Sequence, residues 1–142
     1  MELKQIRMGI VGAGTWGATH ASIYAEHICA DPVAICDMNK EKAQAIADKY
    51  GIRKVYTDYK ELAADPEIDA VIILTSSGTH GTLGILAAEA GKHVIVEKPI
   101  DISVEKAKEL IDACERNHVL LSCIFQHRYD KDTKALKAAI EE

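Results

Sequence analysis

Aromatic side chains are scarce. They make up 5% of the 142 residues, with one Phe and one Trp. A core built from this chain must therefore be aliphatic, from Ile, Val, Leu and Ala. Basic runs are also absent, and 17 Lys and Arg stand against 22 Asp and Glu, for a net charge of -5. That balance argues against a polyanion-binding surface, so neither nucleic acid nor an anionic membrane is an expected partner. No apolar run reaches the ~18 residues of a membrane span. The N-terminal Met1 to Gln5 is charged and leads straight into an apolar stretch, so it does not read as a signal peptide. Four cysteines occur, Cys29, Cys36, Cys114 and Cys123, with no Cys-x-x-Cys spacing. They are expected to be free, buried thiols in a reducing compartment, which places the chain in the cytoplasm. His20, His27, His93 and His118 have no partner at ligand spacing, so no metal site is expected. A Gly-x-Ser-x-Gly elbow and a P-loop are both missing, which removes support for hydrolase and NTPase chemistry.

What is present is a 48% apolar chain of about one domain's length, enough for a real core. Repeats, low-complexity tracts and long linkers are absent. Short apolar runs alternate with helical stretches, the pattern of βαβ units and a parallel sheet. Strands are expected at Ile6–Val11, Val33–Cys36, Lys54–Tyr56, Ala70–Leu74, His93–Val96 and Val119–Ile124. Asp31–Pro32 is expected to end the link before the second strand, since a proline is tolerated only at a strand's first residue. The first helix is read from Thr15 to His27, with Trp16, His20, Ile23 and Tyr24 at spacings of three and four. The second is Lys40–Tyr50, packing through Ala43, Ile46, Ala47 and Tyr50 and stopped by Gly51. A helical turn at Asp58–Ala64 and a helix at Thr79–Ala90 follow. Ser103 caps a further helix to about Asn117. A polar stretch, Gln126–Asp132, leads into a last helix with Leu136 and Ile140 on one face.

The most informative stretch is Gly12-x-Gly14-x-x-Gly17, placed between the first strand and the first helix. Gly12 permits a tight turn, Gly14 lets a pyrophosphate approach the backbone, and Gly17 lets the helix pack close to the strand. Phosphates would sit at the helix N-terminus, near Thr15 and Trp16, where free N–H groups and the dipole favour an anion. Asp37 lies about 20 residues past Gly17, where a carboxylate receives ribose hydroxyls. It would repel a 2′-phosphate, and no arginine follows it closely, so NAD is expected over NADP. Asp37 also reads as an N-cap of the Lys40–Tyr50 helix. These features together predict an α/β, doubly wound parallel sheet of the Rossmann type, six strands in the order 3-2-1-4-5-6. The cofactor would cross the carboxyl ends of strands one and four. Polar residues ending strands there are candidates: Asp37, Thr75, Ser76, Glu97 and Lys98. Thr75 to His80 suits a loop near pyrophosphate and the nicotinamide ribose, or simple helix capping. His80 reads equally as a cofactor contact or as a solvated residue at a helix start. Lys98, held by Pro99, is placed to polarise a reacting oxygen; composition alone would make it a surface lysine in a turn.

Three stretches together resemble one family: Gly12-x-Gly14-x-x-Gly17, the Thr75…His80 loop, and Ala90–Gly91–Lys92–His93–Val94–Ile95–Val96–Glu97–Lys98–Pro99. The chain is similar throughout to the glucose–fructose oxidoreductase, inositol 2-dehydrogenase and rhizopine-catabolism group of NAD(P)-dependent dehydrogenases. The resemblance implies NAD(P) binding and hydride exchange with a hydroxyl or carbonyl of a sugar or cyclitol. It implies that Lys98 is the catalytic or substrate-orienting residue. It also matches Gln126–His127–Arg128 to the family's Gln/Asn-x-Arg stretch, so that Arg128 lines the nicotinamide end. Family members often have Thr-Pro after strand four, where this chain has Thr75–Ser76. They are also about twice as long, with a second α/β domain that carries the substrate pocket and most of the oligomer interface. The expectation is a dinucleotide-binding domain over residues 1–125. Residues 126–142 would then connect to a second domain outside this chain, the whole protein being a homo-oligomer and the chain alone inactive. The competing reading is a dinucleotide sensor without catalysis; a methyltransferase is disfavoured by Asp37 and by Glu97–Lys98–Pro99.

Overall fold

The computed structural model describes residues 5–141. The reading of Met1 to Lys4, and of Glu142 in the last helix, falls outside them. The elements run β1 (Ile6–Val11), α1 (Thr15–Glu26), β2 (Ala30–Cys36), α2 (Lys40–Tyr50), β3 (Lys54–Tyr56), α3 (Tyr59–Ala64), β4 (Ala70–Ile73), α4 (His80–Glu89), β5 (His93–Val96), α5 (Val104–Arg116), β6 (Leu121–Cys123) and α6 (Lys131–Glu141). Short 3-10 turns stand at Ser77–Thr79 and Gln126–Tyr129. All six strands pair in parallel, in the order β3-β2-β1-β4-β5-β6. This is the doubly wound order the glycine motif and the alternation foretold.

The central strand β4 is buried on both faces, which its unbroken apolar run requires. Its side chains alternate between two cores. Val71 and Ile73 join Leu62, Ala87, Ala88, Leu110 and Ala113 on the side of α3, α4 and α5. Ala70, Ile72 and Leu74 join Ala21, Ala43 and Ala47 on the side of α1 and α2. The buried hydrophobic residues are aliphatic or sulfur-bearing, as the shortage of aromatics demands. The lone Trp16 is half exposed.

Several expectations are corrected. Pro32 does not end the link before β2 but is the third residue of that strand. The strand tolerates it because β3 pairs only with Ala34–Cys36, leaving the earlier half of β2 open on that side, and because the β1–β2 register shifts between Met8 and Gly9. Helix α1 packs through Gly17 and Ala21, while Trp16 and Ile23 are half exposed. A helix drawn so close to the sheet presents its smallest residues. The expected Thr79–Ala90 helix divides into the Ser77–Thr79 turn and α4, ended by Gly91 at φ 74°. Strand β4 stops at Ile73, and β6 is confined to the three residues that pair with Val94–Val96. All four thiols are free, but only Cys36 and Cys114 are buried; Cys29 and Cys123 are half-buried. Among the described residues no helix is long and apolar enough to cross a membrane.

A polar network closes the amino ends of the strands. The Arg7 guanidinium donates to Asp69 through Nε and Nη2 at 3.0 and 2.6 Å. The buried Lys92 ammonium donates to the Asp65 and Ile68 carbonyls at 2.7 and 2.9 Å. Asp65 accepts from Lys54 Nζ, the Tyr56 hydroxyl and the Glu67 N–H. The carboxyl ends of the strands are thereby left as the face free for a ligand.

Candidate functional site

At the carboxyl ends the first turn is held by glycine. Gly12 adopts φ 105°, and a Cβ there would meet the Leu74 carbonyl oxygen at 2.9 Å, so an L side chain is excluded twice. The Gly12 N–H donates to the Cys36 carbonyl, and the Leu74 N–H to the Val11 carbonyl, both at 2.8 Å. These bonds fix the loop to both neighbouring strands. A Cβ on Gly17 would stand 2.0 Å from the Gly12 carbonyl oxygen. A Cβ on Gly14 would meet nothing within 4 Å. Gly14 is also the N-cap of α1 and offers no side-chain hydrogen bond to the helix. The loop thus leaves an open approach to a helix N-terminus without a side-chain cap, beside Thr15 and Trp16, and an anion fits there.

Asp37 follows β2 and is half-buried. Its Oδ2 accepts the Ala13 N–H at 2.7 Å, and its Oδ1 accepts the Asn39 N–H at 2.8 Å. The N-cap of α2 is not Asp37 but Asn39, whose Oδ1 accepts the Lys42 N–H at 3.0 Å. The capping alternative for Asp37 is corrected accordingly. After β4, the Thr75 and Thr79 hydroxyls share a hydrogen bond at 2.7 Å, and the Thr79 hydroxyl also lies 2.7 Å from the Ser76 carbonyl.

A cavity of about 720 Å³ opens between these segments, large enough for part of a dinucleotide. Its lining brings together Gly12, Asp37, Thr75 and Ser76 of the expected residues. It also includes Met38 and Tyr59, which the sequence does not single out. The place of Met38 directly after the β2 carboxylate is the signal that could have found it. Met38 is 94% exposed, and the Tyr59 hydroxyl donates to the Leu83 carbonyl at 2.7 Å. Cys36 lines the same cavity, but burial, reinforced by the Asp37 charge, pushes its thiol up to about 11. It is therefore protonated and unreactive at neutral pH.

The remaining candidates lie outside that cavity. His80 is 1% exposed, so the reading of a solvated histidine is corrected. Its Nδ1 lies 2.8 Å from the Pro99 carbonyl oxygen and its Nε2 3.1 Å from that of Thr75. The ring joins the exits of β4 and β5, with both nitrogens facing backbone carbonyls. Glu97 is buried; its Oε2 accepts the Lys98 N–H at 2.9 Å and its Oε1 lies 4.0 Å from His20 Nε2. Burial pulls the His20 imidazole below its ordinary value, and the Glu97 charge opposes this. Sequence spacing gives no sign of this pairing, which depends on α1 crossing the end of β5. Lys98 is exposed and precedes a cis bond to Pro99. Asp101 anchors the same segment, accepting the Gly81 and Ser103 N–H groups at 2.8 and 3.0 Å. Arg128 is exposed in the turn that follows the edge strand β6.

A parallel sheet in this order, a glycine turn against an α-helix N-terminus and a carboxylate after β2 define the class of dinucleotide-binding α/β domains. Residues 6–125 match the family described as the oxidoreductase family with an NAD-binding Rossmann fold, and the chain belongs to that family. It is 35% identical over 136 residues to the myo-inositol 2-dehydrogenase of Thermotoga maritima, covering 96% of this chain and 41% of that protein. It is 33% identical to the D-glucoside 3-dehydrogenase of Escherichia coli K12, covering 99% and 40%. Among solved structures, the WlbA dehydrogenase of Bordetella pertussis in complex with NADH and UDP-GlcNAcA superimposes with a TM-score of 0.92 at 34% identity, covering 99% and 41%. The scyllo-inositol dehydrogenase of Lactobacillus casei with bound NAD(H) and scyllo-inositol gives 0.90 at 28%, covering 97% and 41%. The chain thus spans about two fifths of the length of the relatives it matches.

Proposed function

We propose that this chain is the cofactor-binding part of a dehydrogenase that exchanges a hydride between NAD and a hydroxyl or carbonyl of a cyclitol or sugar. The observation that carries the reading is the glycine turn, open to approach at Gly14, whose Gly12 lines one cavity with the Asp37 carboxylate. In this reading the N–H groups at the start of α1, at Thr15, Trp16 and Gly17, receive the pyrophosphate. Asp37 receives the adenosine ribose and selects NAD over NADP by repelling a 2′-phosphate. Thr75 and Ser76 line the path between the two halves of the cofactor. His80 serves from beneath, its buried ring set between the carbonyls of Thr75 and Pro99. NAD, when bound, supplies the hydride acceptor or donor. Lys98 hydrogen-bonds the reacting oxygen through its ammonium, Glu97 supports it by accepting its N–H, and Arg128 approaches the nicotinamide end. Residues 1–125 form the cofactor domain. Residues 126–142 lead to the part that supplies the substrate walls and oligomer contacts, so that residues 1–142 bind cofactor without turnover. Four free thiols fit a cytoplasmic setting.

The test is NAD reduction by protein made from the complete reading frame, with myo-inositol, scyllo-inositol and a methyl glucoside as substrates. Turnover with one of them supports the reading. NADH binding without turnover on any of these would instead favour a sensor module, and absence of both would overturn the assignment.

A further inference from the structure

One carboxylate in the site is already engaged before any ligand arrives. Asp37 Oδ2 accepts the Ala13 N–H at 2.7 Å, and its Oδ1 accepts the Asn39 N–H at 2.8 Å. Ala13 is the middle residue of Gly12–Ala13–Gly14, the turn on which the pyrophosphate would lie. Asn39 is the N-cap of α2, fixed through its own bond to the Lys42 N–H. Asp37 therefore ties the glycine turn to the start of α2. The turn needs such a tie. It contains two glycines, which have the largest conformational freedom to lose, and Gly14 has no side chain that could cap α1. A hydrogen bond to a charged acceptor is stronger than one to a neutral oxygen. No other side-chain bond to the Gly12–Gly14 backbone is found among the described residues.

We propose that Asp37 is a positioning residue for the pyrophosphate-binding turn as well as the ribose acceptor, so that its two roles cannot be separated by substitution. This rests on the dinucleotide-binding reading above. Each lone pair spent on Ala13 or Asn39 leaves others on the same oxygens for ribose hydroxyls, since an ionised carboxylate offers about four acceptor positions. The consequence concerns cofactor choice. If Asp37 acted only by contacting the ribose, its removal would relieve repulsion of a 2′-phosphate and tighten NADPH binding. If it also sets the turn, NADPH loses the ordered pyrophosphate site along with NADH.

The experiment uses residues 1–142 with Asp37→Ala and Asp37→Asn. Hydrogen exchange of the Ala13 amide is followed by NMR, and NADH and NADPH are titrated by calorimetry. The expected result for Asp37→Ala is Ala13 exchange faster by about 10-fold or more, from the removal of one charged hydrogen bond. Affinity for NADH and for NADPH should both fall, NADH by more. Asp37→Asn, which keeps one acceptor oxygen, should restore Ala13 protection in part. Unchanged Ala13 exchange in Asp37→Ala, or tighter NADPH binding, overturns the proposal. Should Asp37→Ala lose its melting transition, Asp37→Ser is read by the same two criteria, because its hydroxyl cannot span both N–H groups. If the unsubstituted chain binds neither cofactor, the dinucleotide reading fails, while Ala13 exchange still decides whether Asp37 orders the turn.

Discussion

Gly17 and Gly12 touch through the space where a side chain would be. A Cβ on Gly17 would lie 2.0 Å from the Gly12 carbonyl oxygen, whereas one on Gly14 would meet nothing within 4 Å. The two glycines therefore fail differently when replaced. Gly17→Ala must push α1 off the turn, at a cost of about 3 kcal/mol or more, since the obstacle is backbone. Gly14→Ala, at φ -81°, should fold with an unchanged melting temperature. It should still weaken NADH by about 10-fold, because its methyl would occupy the approach to the helix N-terminus. Thermal melts and calorimetry on both variants check this. Equal destabilisation by the two would contradict it.

Lys98 stands at the exit of β5, held by its N–H bond to Glu97 and by the Asp101 anchor that follows Pro99. If its ammonium acts in the transition state, Lys98→Met in protein from the complete reading frame should lower kcat by about 100-fold or more. The dissociation constant of NADH should change by less than about 3-fold, because the phosphates are held elsewhere. Steady-state kinetics and NADH titration give the two numbers. A kcat near that of the unsubstituted protein would return Lys98 to the role of a solvated turn residue.

Asp65 gives the amino-end network a pH dependence. Burial alone would raise its carboxyl; the Lys54 ammonium, the Glu67 N–H and the Tyr56 hydroxyl outweigh that and hold it at about 2, against an ordinary 3.8. A carboxyl lowered in the fold stabilises it above the ordinary value, and that stability is lost as pH falls through the folded value. The advantage of the unsubstituted chain over Asp65→Asn should therefore be constant above about pH 5 and shrink between about pH 4 and pH 2. Melting temperatures across that range check it. A constant difference down to pH 2 would show that Asp65 carries no such linkage.

The sheet order and the glycine turn are legible in the sequence because both depend on local patterns. The alternation of apolar runs with helical stretches sets the topology, and Gly12, Gly14 and Gly17 must be small wherever a strand turns back into a packed helix. The place of Asp37 directly after β2 is legible for the same reason, but not its bond to Ala13, which needs two strands to be brought side by side. The burial of His80 is not legible, because spacing cannot reveal that β4 and β5 deliver two carbonyls to one ring. Lys92 stands out only as part of a family stretch. Its burial against the Asp65 and Ile68 carbonyls is set by residues more than twenty positions away. The place of Pro32 within its strand is equally hidden, because the length of β3, and hence which part of β2 is open, is decided by tertiary pairing.

The claim that this chain is an NAD-binding domain is tested most directly by calorimetric titration of residues 1–142 with NADH and with NADPH under the same conditions. Energy transfer from Trp16 to the reduced nicotinamide provides a second readout, since the chain has one tryptophan and it lies in the first turn of α1. Saturable one-site NADH binding is expected, with NADPH weaker by about 10-fold or more, the scale of a single charged hydrogen bond or of one opposing charge. No NADH binding at millimolar concentration, or NADPH binding as tight as NADH, would contradict it.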